Sequence, residues 1–88
     1  MRFDRVVTQV FTMLQEVRLG TVVAVWADGG VSAHRDLAFR HRVLPTGRRE
    51  TPIATFVATN SVPSVVDIRE QIKHAFGPAA LGLNGGPG

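Results

Sequence analysis

The run VVAVWADGG, from Val22 to Gly30, constrains the fold more than any other stretch of the chain. Its first six residues are apolar at consecutive positions and rich in β-branched side chains. They are too few for a helix and suit a strand that avoids water on both faces. Asp28-Gly29-Gly30 follows with residues that tolerate positive φ, the signature of a tight hairpin turn. A chain with this hairpin has to cover two sheet faces.

A second strand is expected to return antiparallel through Val31, Ala33, Leu37, Phe39 and Val43, with Arg40 and Arg42 on its other face. The alternation breaks at Arg35, which predicts a bulge. Pro45-Thr46-Gly47 makes the next turn, and Ile53 to Thr59 reads as a third strand, again apolar on neighbouring positions.

Helices bracket these strands. Phe3, Val6, Val7, Val10, Phe11, Leu14 and Val17 recur at helical spacing, with Asp4 as expected N-cap and a stop near Leu19-Gly20. Ser64 is placed to cap a last helix, with Asp67 three residues on and Val65, Ile68, Ile72, Ala75 and Phe76 as its apolar stripe, ended by Gly77-Pro78. The expected fold class is α+β: helix, three-stranded antiparallel meander, helix (αβββα). It forms one domain over residues 1–76, followed by a flexible Gly/Pro-rich tail over 77–88 that holds five of the nine glycines. Because small meanders usually carry both helices on one side, the second sheet face is expected to meet another protein chain.

At 88 residues the core is small, burying only roughly 60–68% of the unfolded surface. There is no cysteine, which removes disulfides, thiolate chemistry and most zinc sites. Charges at Arg2, Asp4 and Arg5 interrupt the apolar run a signal peptide needs, and no run approaches a membrane span. The expectation is a soluble, intracellular protein, cytoplasmic or part of an assembled particle, with no membrane association.

Charge is concentrated in HRDLAFRHRVLPTGRR, His34 to Arg49. Positions 31 to 49 carry net +4, more than the +3 of the whole chain. His34-Arg35-Asp36 begins like a kinase catalytic loop, but the asparagine that should follow is His41 and no glycine-rich phosphate loop precedes it. His34, Asp36, His41 and His74 lack the spacing of a metal site, and no serine stands in a nucleophile pattern. The αβββα order is shared with double-stranded-RNA-binding domains. Their last helix opens on a lysine cluster, however, where this one reads SVVDIREQIK, so membership does not follow.

Together these features predict a small non-enzymatic structural or interaction protein without a cofactor or small-molecule substrate. It would act as a homo-oligomer or as a minor subunit of a larger assembly, for example a virion or tail component. Val23, Val25, Ile53, Val57 and Gly77 are its expected interface, and Arg35, Arg40, Arg42, Arg48 and Arg49 its basic contact surface. The alternative is a module that grips an RNA or DNA backbone through Arg35 to Arg49.

Overall fold

The computed structural model describes residues 3–35 and 41–77. The chain is α+β, with two helices and a small antiparallel sheet. Helix α1 spans Phe3–Glu16, β1 Val22–Val25, β2 Val31–His34, β3 Arg42–Val43, β4 Arg49–Glu50, β5 Ala54–Val57 and α2 Val65–Phe76. The predicted tail beyond Gly77, and Leu37, Phe39 and Arg40, lie outside the described residues.

The strands do not form a simple meander. The main sheet has the order β2-β1-β5, and β3 and β4 make a separate two-stranded hairpin. Strand β1 takes the centre, pairing Val22 with His34 on one side and with Val57 on the other. Its composition explains the choice: all four of its residues are buried, and a strand apolar on both faces loses least when it has neighbours on both edges. The long second strand expected over Val31 to Val43 ends at His34, one residue before its alternation breaks, and Arg42 and Val43 belong to the hairpin. Pro45-Thr46-Gly47 does form a turn, with Gly47 at φ 84° and the Leu44 N–H donated to the Arg48 carbonyl at 2.8 Å.

Both helices pack on one face of the main sheet. Val6, Val7, Val10 and Leu14 of α1, with Ile68 and Ile72 of α2, enclose Val23, Val25 and Phe56 in a single core. An ion pair between Arg69 and Asp4 ties the helices together at the surface, with the Arg69 guanidinium also over the Phe3 ring. Asp4 therefore lies within the first turn of α1, inside the helix it was expected to cap. There its charge suits the positive helix end.

The caps of α2 match expectation. The Ser64 hydroxyl accepts the Asp67 N–H at 3.1 Å, and Gly77, at φ 59°, donates its N–H to the Lys73 carbonyl at 2.9 Å. Gly77, expected at an interface, thus has a local reason to be glycine.

Candidate functional site

The face of the sheet turned away from the helices carries Val22, Ala24 and Trp26 of the β1 line, Ser32 and His34 of β2, and Thr55 and Val57 of β5, as the pairing register requires. Trp26 is 1% exposed. Its indole N–H donates to the Ser32 hydroxyl at 2.8 Å, and Ser32 Oγ lies 2.7 Å from His34 Nε2. With the oxygen accepting from the indole, its own hydrogen is available to His34 Nε2. Sequence inspection missed this polar chain, although Ser32 and His34 stand two apart on a strand and so must share a face. It satisfies a tryptophan that would otherwise bury a bare donor.

Arg42 covers the same ring. Its guanidinium carbon lies 4.2 Å from the Trp26 ring centre, and its nitrogens meet Asp28 at 3.2 Å and Glu50 at 3.1 Å. Burial works against its charge, but these two carboxylates prevail and raise its pKa. Asp28 is held below the usual carboxylate range, above all by the Gly30 N–H donated to Oδ1 at 2.8 Å. Burial opposes this and Arg42 adds to it. The turn DGG, the hairpin and the tryptophan are in this way clamped by one arginine.

This changes the basic surface. Arg42, expected to point outward, is half-buried and paired within the chain. Arg35 lies exposed beside Arg18 and Thr21, at the end of the sheet where β1 begins. Arg48 and Arg49 lie exposed at the opposite end, beside Ala27 and Leu44. Arg40 lies outside the described residues, so the structure describes no continuous row of the five. Val43, expected on the apolar face of the second strand, is exposed, and so is His41, because β3 belongs to the outlying hairpin. Among the described residues no three His, Asp or Glu side chains gather in a way that could hold a metal ion, and no helix is long and apolar enough to cross a membrane.

The expected interface residues also divide. Val23 and Val25 are 0% exposed beneath the helices and belong to the core, beyond the reach of another chain. Ile53 and Val57 flank and end β5, an outer strand of the sheet. Val57 is 49% exposed and has company that sequence inspection did not single out: Leu19, Val62, Val65 and Val66, the last 66% exposed. Leu19 is tied to the end of β5, and Val62, Val65 and Val66 follow on the segment that leads from β5 into α2. The Gly20 N–H meets the Ala58 carbonyl at 2.8 Å, which brings Leu19 beside the end of β5, and a short connection leads from there to the first turn of α2.

Among the described residues no strand pairs with the outer edge of β5. The Ala58 N–H donates to the Thr21 carbonyl, so alternation along the ladder turns Ala54, Phe56 and Ala58 toward β1 and leaves the backbone polar groups of Thr55 and Val57 facing outward. Beside this edge runs a groove of about 530 Å³ lined by Ile53, Thr55, Glu70, Gln71 and His74. An edge strand with an apolar patch at its end can take up another chain by backbone pairing. No protein-family model matches the chain, and neither a curated protein sequence nor a solved structure matches it significantly.

Proposed function

We propose that this chain is a small non-enzymatic structural or interaction protein that works by association with other protein chains, as an oligomer or as a minor subunit of a larger assembly such as a particle or tail. One observation carries the reading: Leu19, Val57, Val62, Val65 and Val66, five of the six large apolar residues left exposed among the described ones, fall at the end of β5, on the segment hydrogen-bonded beside it and on the connection into α2, next to an edge that no described strand covers. Single exposed apolar residues are ordinary on a monomer, whereas several of them near an edge strand that no described strand covers suit a contact surface. The light-scattering mass of the purified chain over a wide concentration range tests it. A mass above that of one chain, reduced by Leu19→Glu with Val66→Glu, is the expected result. A strictly monomeric chain with no partner recovered from its source would sink the reading.

The alternative, an RNA or DNA backbone binder, draws support from Arg48 and Arg49, which are exposed and form no ion pair among the described residues. It is weakened by the commitment of Arg42 to Asp28 and Glu50 and by the placement of Arg35 at the other end. Retention on nucleic acid at low salt that disappears in Arg48→Gln with Arg49→Gln would favour it, since phosphate contacts are salt-dependent.

A further inference from the structure

Resting on the association reading above, we infer that the partner at the β5 edge is a second copy of this chain, joined around a two-fold axis at Thr55 so that two sheets become one continuous antiparallel sheet. Three features point there. The first is the asymmetry of the two outer strands. β2 ends in His34 followed by Arg35, whereas β5 reads ATFV, with no charge and no proline to discourage pairing. The second is the geometry of the edge. Thr55 faces outward with both backbone groups, so two antiparallel copies can exchange Thr55 N–H to Thr55 carbonyl bonds across the axis.

The third feature is the charge along the outward flank of α2, which borders the same groove. Asp67 and Glu70 stand in its first half, Lys73 and His74 in its second, and all four are exposed. A copy reversed about an axis level with Glu70 and Gln71 sets Asp67 against the second copy's His74 and Glu70 against its Gln71, a carboxylate acceptor facing a side chain able to donate in each case. That axis level agrees with Thr55, because Glu70, Gln71 and His74 line the groove together with Ile53, Ala54 and Thr55. The isologous arrangement closes on itself at the β5 edge.

The chain has no cysteine, so a single Thr55→Cys substitution makes a clean probe. Opposed residues of a hydrogen-bonded antiparallel pair lie about 5.5 Å apart at Cα, within the range a disulfide spans. Mild oxidation should convert Thr55→Cys to a covalent dimer, while Thr46→Cys, on the exposed far turn, stays uncrosslinked. His74→Glu should weaken self-association at least about tenfold, and adding Asp67→Lys should restore it, a rescue that a loss of helix stability would not show. Helical circular dichroism confirms that each variant is folded. Oligomers whose Thr55→Cys form does not cross-link, or cross-links no more than Thr46→Cys, would overturn this interface and leave association standing. A chain monomeric at every concentration would overturn both.

Discussion

The Arg42 guanidinium lies over the Trp26 ring at 4.2 Å from its centre while its nitrogens hold Asp28 and Glu50. Two sequence-distant elements, the β1–β2 turn with its tryptophan and the β3–β4 hairpin, are therefore joined by one side chain. Planarity suits arginine to this role, because a single flat group can stack and make in-plane hydrogen bonds together.

Trp26 is the one tryptophan of the chain, so the protein's tryptophan fluorescence reports the surroundings of this ring. Arg42→Ala should shift the emission maximum to the red as water reaches the ring. Arg42→Lys should fall between, keeping charge but losing the flat stacking surface. An unchanged maximum in Arg42→Ala would show that the ring is covered from elsewhere.

Acid should loosen the same clamp. The folded-state pKa of Asp28 lies below its unfolded value, so its ionisation contributes stability that is present above the unfolded pKa and lost as pH falls through the folded one. The thermal midpoint of the native chain should fall below about pH 4, and Asp28→Asn should flatten that limb while lowering the midpoint at neutral pH. Parallel pH profiles for the two proteins would contradict the assignment.

The core should be far less forgiving than the surface. Ile68 is 0% exposed among Phe3, Val7 and Val23 of one small cluster. Ile68→Ala should cost about 2–5 kcal/mol through lost burial and the cavity left behind. Against a total stability of about 5–15 kcal/mol, that is a large fraction. Urea denaturation measures it, and a loss below about 1 kcal/mol would mean the site collapses to fill the space.

The elements were legible in the sequence to the extent that local rules govern them. The stripe from Phe3 to Leu14, the Ser64 cap, the Gly77 stop and the DGG and PTG turns each follow from residues within a few positions of one another. The order of strands was not. β1 and β5 are both apolar on neighbouring positions in sequence, and only the pairing of Val22 with His34 and Val57 together decides that β1 is central and β5 an edge. That decision moved Val23 and Val25 into the core and left Val57 outside.

The sequence by itself determined that the chain is an α+β domain without cysteine chemistry, and it located the cationic stretch. Tertiary structure decided where its arginines go: it drew Arg42 inward onto Trp26 and sent Arg35 and the Arg48-Arg49 pair to opposite ends, and it brought Leu19 next to the end of β5. The reason is physical. Turns, caps and amphipathic stripes are set by neighbours along the chain, while ion pairing, stacking and exposure depend on which distant residues packing brings within a few ångströms.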